Sequence, residues 1–308
     1  MKLTPIAIFT YNRMQHIEKL LISLKKNREF DKSEIYIFSD GGKNDEDWKS
    51  VNQVRNFIKS NYNFSNIQLL ERTENYGLAK SIIEGITKIF DKYESVIALE
   101  DDLIVSSDFI EYMNKALCFY QSDERVWSIS GYSPTLKIPR NYDKELYLIP
   151  RASSWGWGTW RDRWKKCQWN SQTYTIWNDK RVQESFNVGG NDMFKMLELQ
   201  KLGKINSWAI RWDYSRFINS MLTVYPLKTK VINEGFDGSG THTSGSSDKY
   251  LGILNNEVIK MKKLETNELI VKEFKKFRDL DWIGKIGYFS KKNGWYDNIK
   301  KFKKFVRK

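Results

Sequence analysis

The stretch Val96-Ile97-Ala98-Leu99-Glu100-Asp101-Asp102-Leu103 determines how the rest of the chain is interpreted. Four apolar residues run directly into three consecutive carboxylates. A short continuous apolar run is typical of a strand buried on both faces, as in a parallel sheet. Carboxylates buried at the end of such a strand are costly unless a cation neutralises them. In open α/β sheets, ligands bind beyond the carboxyl ends of the strands, where these three acids are expected to lie.

Two interpretations of this acidic triplet are open at this point. Oxygen ligands suit Mg²⁺ or Mn²⁺, and Mg²⁺ is usually held by one or two carboxylates together with substrate phosphates. The triplet therefore fits a divalent-metal site that binds a diphosphate. It also fits an acidic turn that only solvates the end of a strand.

The composition indicates a folded protein. The 308 residues are 40% hydrophobic and 15% aromatic, enough to bury a sizeable core. The apolar runs are only a few residues long, so no transmembrane helix is expected. The first five residues lack the basic and apolar regions of a signal peptide, and we therefore expect a cytoplasmic location. Cys118 and Cys167 give neither a disulfide framework nor a metal-ligand pattern.

The formal charge of +13 is concentrated near the C-terminal end. Residues 260–308 contain 16 Lys and Arg against 6 Asp and Glu, which leaves +3 for the first 259 residues. This distribution favours an interaction tail over a nucleic-acid-binding body, and we expect no nucleic-acid partner. Residues 300–308 interleave aromatic with basic residues, and Trp295 and Tyr296 precede them, which predicts peripheral contact with an anionic membrane. A solvated charged terminus is the alternative.

Strands alternate with helices in the first part of the chain. Apolar runs predict strands at 4–11, 34–38, 67–70 and 96–99, and helical spacing predicts helices after Arg13, around 51–58 and over 78–90. This alternation predicts βαβ units and a mostly parallel sheet, hence the α/β class. Further along we expect helices at 108–120, 192–202 and 208–222, strands at 126–130 and 145–149, and a turn-rich loop at 231–247.

Four tryptophans are interleaved with glycines between residues 153 and 164. Aromatic faces stack on sugar rings and indole N–H groups reach hydroxyls, so Trp155 and Trp157 are candidate sugar contacts. Glycines at this spacing let the backbone approach a ligand closely. The alternative is a hydrophobic junction that packs a second layer onto the sheet, and Trp160 and Trp164 fit that core role better.

Three further residues are candidates, each with an ordinary structural alternative. Asp213 lies between Trp212 and Tyr214, where poor hydration would make it a better general base, but it could equally pair with Arg211 or Arg216 on a helix surface. Asp40 could accept from a nucleotide base or simply form a turn before two glycines. His242 could ligate a metal from its loop or face solvent.

Taken together, these stretches resemble nucleotide-sugar-dependent glycosyltransferases of the A-type (GT-A) fold. The likeness is to the N-acetylglucosaminyltransferase I type and to bacterial family-two-like enzymes, and it covers about residues 4–247. It rests on Ile8-Phe9-Thr10-Tyr11-Asn12-Arg13, Ser39-Asp40-Gly41, Asn75-Tyr76-Gly77-Leu78-Ala79-Lys80, Leu99-Glu100-Asp101-Asp102-Leu103 with Ser107-Asp108-Phe109, Trp155-Gly156-Trp157, and the region from Trp208 to Asp213.

The resemblance implies a role for each candidate. Asp102 would bind Mn²⁺ or Mg²⁺ directly, with His242 as a second ligand from a closing loop, and Asp213 would be the general base. Asp40 would contact the base, and Glu100 and Asp101 the sugar and ribose. Nucleotide-sugar contacts are expected from Thr10, Asn12, Arg13, Asp40, Lys80, Glu100, Asp101, Trp155 and Trp157.

The resemblance also implies a domain layout. It divides the chain into a single Rossmann-like GT-A domain over 1–250 and a basic helical extension over 251–308. Within the domain, 1–131 would be the nucleotide-sugar half and 132–250 the aromatic-rich acceptor half.

The predicted function is metal-dependent, inverting transfer of a sugar from a UDP-linked donor to a hydroxyl of a glycan or lipid-linked glycan. The setting would be bacterial surface polysaccharide synthesis, with the protein at the inner face of the membrane. A nucleotidyltransferase that makes sugar nucleotides is one alternative, although residues 6–13 lack its glycine-rich basic signature. A non-catalytic glycan-binding protein is the other, although it would not need three acids at a strand end.

Overall fold

A computed structural model describes residues 3–62, 64–236 and 252–296. Its strands are β1 Ile6–Thr10, β2 Ile35–Ser39, β3 Ile67–Glu71, β4 Ser95–Glu100, β5 Leu103–Val105, β6 Val126–Ser130, β7 Leu146–Ile149, β8 Trp157–Trp160, β9 Leu222–Pro226 and β10 Val231–Asn233. Its α-helices are α1 Met14–Lys25, α2 Asp45–Asn61, α3 Gly77–Phe90, α4 Phe109–Tyr120, α5 Arg161–Lys165, α6 Lys180–Phe186, α7 Met193–Lys201, α8 Trp208–Ile218, α9 Glu268–Arg278 and α10 Trp282–Lys292.

Eight strands form one sheet in the order β3-β2-β1-β4-β8-β6-β9-β7. The first four strands are parallel neighbours, as βαβ units require. In the second half, β6 and β9 are parallel, whereas β8 runs antiparallel to β4 and β6, and β7 antiparallel to β9. The sheet is therefore mostly parallel, and the predicted α/β fold class is confirmed.

The apolar strands are buried on both faces because successive side chains point to opposite sides of the sheet. From β4, Ile97 and Leu99 join one core cluster with α1 and α4, whereas Val96 and Ala98 join another with α3 and α8. These four side chains are almost completely buried. The continuous apolar run before the acids therefore has the sandwiched position that its sequence predicts.

The structure differs from the sequence-based expectation most in the tryptophan-rich segment. Residues 157–160 form β8 and insert between β4 and β6, where no strand is expected from the sequence. Gly158 makes this insertion possible, since a Cβ there would come within 2.9 Å of the Met113 side chain and 3.0 Å of the Val96 carbonyl oxygen. The expected helix at 208–222 ends at Ile218, and β9 begins at Leu222.

The C-terminal region is helical over α9 and α10, as expected. Ile270 and Phe274 on α9 are fully buried against Tyr147, Ile149 and Tyr225. None of the helices within the described ranges is long and apolar enough to span a bilayer.

Candidate active site at the carboxyl edge of the sheet

The carboxyl ends of β1, β2 and β4 meet at one edge of the sheet. Parallel pairing aligns Thr10 with Ser39 and Phe9 with Glu100, so the turns that follow these strands are neighbours. The acidic triplet therefore lies beside the Thr10-to-Arg13 turn and near Asp40. Parallel register alone brings together residues that are 60 to 90 positions apart in the sequence.

Asp101 fixes the turn after β1. Its carboxylate accepts hydrogen bonds from the Thr10 hydroxyl at 3.0 Å and from the Tyr11 backbone N–H at 3.3 Å. The Arg13 guanidinium forms ion pairs with Asp101 and, at 3.0 Å, with Asp102. Burial raises the pKa of Asp101, although Arg13 opposes the shift. Asp101 is thus occupied by protein groups and holds Arg13 in place.

Glu100 adds a third carboxylate to this edge. Burial, together with the charges of Asp102 and Asp101, raises the pKa of Glu100 well above its usual value. The Arg13 guanidinium pairs with two of these carboxylates, and it acts on Glu100 only through its charge. The Nη1 atom of Arg13 is buried and has no hydrogen-bond partner within the described residues. This edge carries an excess of negative charge together with an unused N–H donor.

Asp102 faces the segment that follows β10. β10 pairs antiparallel with β5, and the Glu234 N–H donates to the Asp102 carbonyl at 2.8 Å. The Asn233 side-chain amide lies 3.4 Å from the Asp102 carboxylate. A Cβ at Gly235 would overlap that carboxylate, so only glycine allows so close a backbone approach. His242 follows seven residues later but lies outside the described residues.

The side chains at this edge can be compared with the ligands that a divalent cation needs. Within the described ranges, no three His, Cys, Asp or Glu side chains are grouped as a metal cage. Mg²⁺ and Mn²⁺ do not need such a cage when a diphosphate supplies the other oxygens. The Asp102 carboxylate is a hard oxygen donor at an edge with surplus negative charge. These residues fit a cation that is completed by the substrate.

Asp40 is held by backbone and amide N–H groups. Its carboxylate accepts from the N–H groups of Tyr76 and Gly77 at 2.9 Å, of Gly41 at 3.0 Å, and from the Asn75 amide at 3.3 Å. A carboxylate offers about four acceptor positions, so these bonds use its capacity. Asp40 therefore fixes the start of α3, where Gly77 has a left-handed φ of 73°. Its contact with a nucleotide base stays a prediction.

Two cations lie close to the ring of Tyr76, near Asp40. The Arg72 guanidinium and the Lys80 ammonium are 4.0 Å and 3.8 Å from its ring centroid. Lys80 is half-exposed and also lies 3.8 Å from Glu84. On the other side, Asn12 and Tyr11 both donate to Asp47 on α2. Sequence reasoning missed Arg72 and Asp47, because neither belongs to a motif and only the folded sheet edge brings them here.

The two candidate tryptophans have different surroundings. The Trp155 ring packs edge-on against Tyr132 at 4.6 Å and Phe236 at 5.8 Å, and it is partly buried. The Trp157 ring is 2% exposed and packs against Trp208 and Trp212 at 5.2 and 4.4 Å. Trp157 thus has the position of the hydrophobic junction, whereas Trp155 lies next to the segment that faces Asp102. Their contacts with a sugar stay predictions.

Asp213 is buried on α8 rather than on a helix surface. Its Oδ1 accepts from Arg216 Nε at 2.6 Å and from the Ala152 N–H at 3.0 Å. Arg211 instead donates to the carbonyls of Ser207 and Trp169. The hydrogen bonds to Asp213 from described residues all reach Oδ1. The alternative of an ion pair with Arg216 is therefore present, and the Oδ2 atom has no such bond.

Comparison with known proteins decides the family. The sequence profile of Glycosyl transferase family 2 matches residues 6–202, which includes the whole carboxylate edge. The chain belongs to this family. Its membership confirms the predicted resemblance and, with the sheet described above, the GT-A fold class. By family, the chain is a glycosyltransferase.

Some solved structures are distantly similar to the chain. TarS from S. aureus is 13% identical with a TM-score of 0.40, over 74% of this chain and 36% of that chain. The structure of TarS residues 1–349 in complex with UDP is 14% identical with a TM-score of 0.40, over 75% of this chain and 60% of that chain. The mannosyltransferase PcManGT from Pyrobaculum calidifontis, in complex with GDP-Man and Mn²⁺, is 15% identical with a TM-score of 0.38, over 70% of this chain and 74% of that chain. The chain thus spans about a third of the length of the longer TarS structure and three-fifths of the 1–349 structure. No curated protein matches the sequence.

Proposed function

We propose that this glycosyltransferase moves a sugar from a UDP-linked donor to a hydroxyl of a glycan, with inversion and with Mn²⁺ or Mg²⁺. One observation carries the proposal. In a member of this family, three carboxylates lie together at the ligand-binding edge of the sheet, where Arg13 is paired with two of them and the third, Glu100, feels only its charge. A divalent cation would offset that charge and would keep coordination positions for the oxygens of a diphosphate.

Asp102, with His242 from the loop beyond Gly235, would hold the cation. When bound, the cation supplies Lewis-acid stabilisation of the departing diphosphate. Arg13 can direct its buried Nη1 N–H toward the same phosphates, since its other contacts fix the guanidinium. Thr10 acts through Asp101, which it orients by a hydrogen bond. Glu100 and Asp101 would face the sugar and ribose, and Asn12, Asp40 and Lys80 would surround the nucleoside.

Asp213 would accept the proton of the attacking hydroxyl. Its Oδ1 is held by Arg216 and the Ala152 backbone, which orients the carboxylate, and Oδ2 is the atom available for the acceptor. Ala152 is three residues before Trp155, so one segment links the base to the aromatic ring proposed to stack on sugar. Attack from the face opposite the leaving diphosphate inverts the configuration. The segment around Gly238 to Ser247 would close over the donor and exclude water, which competes as an acceptor.

The proposal also covers the acceptor of the sugar and the location of the protein. We assign a glycan or lipid-linked glycan of a surface polysaccharide as acceptor, at the inner face of the membrane. The basic C-terminal region supports this placement, because Lys and Arg near an anionic bilayer contribute about 1 kcal/mol each.

A nucleotide-release assay tests the function. The purified protein is incubated with a panel of nucleotide sugars in the presence of Mn²⁺, Mg²⁺ or a chelator. We expect metal-dependent release with a UDP-sugar. Asp102→Ala should stay folded and lose the metal dependence of nucleotide binding in calorimetry, because a strand-end acid contributes little to the core. Asp31→Ala, which removes an exposed acid far from the edge, is the matched control.

The outcomes separate the alternatives. Metal-dependent nucleotide binding that is unchanged in Asp102→Ala would remove Asp102 from the metal site. Glycan binding without release from any donor would identify a binding protein instead. Release of pyrophosphate from a nucleoside triphosphate and a sugar phosphate would identify a nucleotidyltransferase.

A further inference from the structure

Helix α10 exposes its apolar residues. Trp282, Ile283, Ile286 and Phe289 are 55–70% exposed. Their spacing of one, three and three residues puts all four on one face of the helix. A surface helix of a globular protein normally turns such a face toward the core, as α9 does with its fully buried Ile270 and Phe274. In α10 this arrangement is reversed.

The opposite side of α10 is attached to the protein. The Tyr288 hydroxyl hydrogen bonds to Glu198 on α7, and Lys292 pairs with the same carboxylate at 3.0 Å. Lys195 on α7 lies 5.6 Å from the Tyr288 ring centroid. At 100° per residue, Tyr288 and Lys292 lie on the side of the helix away from Ile283 and Ile286. The polar side is therefore docked, and the apolar side faces outward.

The residues around the apolar face are basic and aromatic. Lys285, Lys291 and Lys292 lie on the same helix, and residues 281–308 contain nine Lys and Arg against two Asp. Trp295 is 56% exposed and packs edge-on against Phe289 at 5.9 Å, which extends the apolar face. Tryptophan is favoured where an apolar phase meets water, because its ring is apolar and its N–H is polar. The positive charge of residues 281–308 repels a second copy of the same surface and attracts an anionic surface.

We propose that α10 is an interfacial helix that lies in the plane of an anionic lipid bilayer. Its face Trp282, Ile283, Ile286 and Phe289 would enter the headgroup region, and the lysines and the basic tail would contact lipid phosphates. This inference deepens the membrane contact proposed above: it assigns adhesion to an apolar helix face as well as to charge. It does not depend on which sugar is transferred.

Sedimentation of the full-length protein with vesicles tests the proposal. Phosphatidylcholine vesicles with and without phosphatidylglycerol supply the anionic and neutral surfaces. The variant W282S/I286S/F289S keeps every charge and removes most of the apolar face. The control I22S/F119S/I218S changes three exposed apolar residues of 40–47% exposure on α1, α4 and α8.

We expect the wild type and the control to sediment with anionic vesicles and not with neutral ones. The α10 variant should bind anionic vesicles on the order of tenfold more weakly, because the apolar area that enters the interface is lost. Its circular dichroism and its nucleotide release with a soluble acceptor should match the wild type. If the wild type binds vesicles but releases no nucleotide, the proposed function is wrong and the inference about α10 still stands.

Three results would overturn the inference. The first is equal vesicle binding by the α10 variant and the wild type. The second is loss of binding only when the lysines at 300, 301, 303 and 304 become glutamine, which would leave charge as the sole cause. The third is a lipid-free dimer, seen by sedimentation velocity, that the α10 variant abolishes, because a second copy would then cover the face.

Discussion

At the carboxyl end of β4, the guanidinium of Arg13 pairs with two of three neighbouring carboxylates, whereas in the second half of the chain Asp213 and Asp192 each have an arginine of their own. Arg216 pairs with Asp213 at 2.6 Å. Arg151 binds both oxygens of Asp192, at 2.6 and 2.7 Å. Both regions are at least partly buried, but only the second balances its charge with protein groups.

The difference appears in the direction of the pKa shifts. Burial raises the pKa of Glu100, and the neighbouring acids add to the effect. Burial also acts on Asp192, yet its ion pair with Arg151 keeps the pKa below the usual value. A balanced pair is complete without a ligand, and breaking it costs about 3–5 kcal/mol. An unbalanced cluster gains from a cation, so charge balance separates structural acids from those suited to binding.

Asp213 is the exception among the acids with an arginine of their own, since its charge is balanced and it is also proposed as the base. Asp213→Asn should lower turnover by about 10²–10⁴-fold, the usual contribution of a general base. Donor affinity should change little, because the donor binds apart from this group. Steady-state kinetics, corrected for the folded fraction from a melting curve, measures the effect.

Arg216→Met is the matched control, because it breaks the same ion pair and leaves the proposed base. Both variants should lose stability, by about 3–5 kcal/mol for a broken buried pair. If turnover per folded molecule falls equally in both variants, Asp213 is a structural acid and leaves the mechanism.

Glu100→Gln removes one carboxylate from the unbalanced cluster. Because the native pKa of Glu100 is raised, the unfolded chain ionises first as pH rises, and native stability falls between the usual pKa and the raised one. The glutamine variant escapes this loss. It should be more stable than wild type at pH 7.5 in chelator, by about 1.4 kcal/mol for each unit of the shift.

Urea unfolding at both ends of the pH range measures this prediction. The advantage of the variant should disappear below the usual pKa of glutamate, where both states are protonated. Equal stability of the two proteins at pH 7.5 would mean that the carboxylates at this edge are not crowded.

Lys80 should give the smallest effect. Its ammonium lies over the Tyr76 ring at the half-exposed start of α3, where a cation–π contact contributes about 0.5–1 kcal/mol. A half-exposed lysine that pairs with the nucleotide contributes up to about 1 kcal/mol, so Lys80→Ala should weaken nucleotide binding by up to about fivefold. Lys88→Ala, on the last turn of the same helix, should leave binding unchanged. Calorimetry that shows equal affinities would exclude Lys80 from the site.

The sequence predicts the first half of the fold well because its signals are local. Continuous apolar runs and helical spacing define β1 to β4 and the helices between them, and parallel register then brings the acids to one edge. The same reasoning misses β8, because Trp-Gly-Thr-Trp has no strand pattern and its position depends on the room that Gly158 leaves. It also leaves Asp213 ambiguous, since only tertiary packing buries the pair with Arg216.

Gly235 and Arg72 show why parts of the site could not be predicted. A glycine in a turn-rich segment has many explanations, and its approach to Asp102 follows from the pairing of β10 with β5, more than 120 residues apart. Arg72 is one of 51 basic residues and enters the site through its contact with Tyr76.

The position of β8 also has a consequence for synthesis on the ribosome. One edge of β4 pairs with β1, which is made earlier, but the other edge waits for Trp157, which is added 57 residues after Glu100. At about 5–20 residues per second, that interval is about 3 to 11 s. During this time the apolar strand Val96–Leu99 has an unpaired edge, which is a template for aggregation. Slow codons between these points would lengthen its exposure, and a nascent-chain chaperone would have its clearest substrate there.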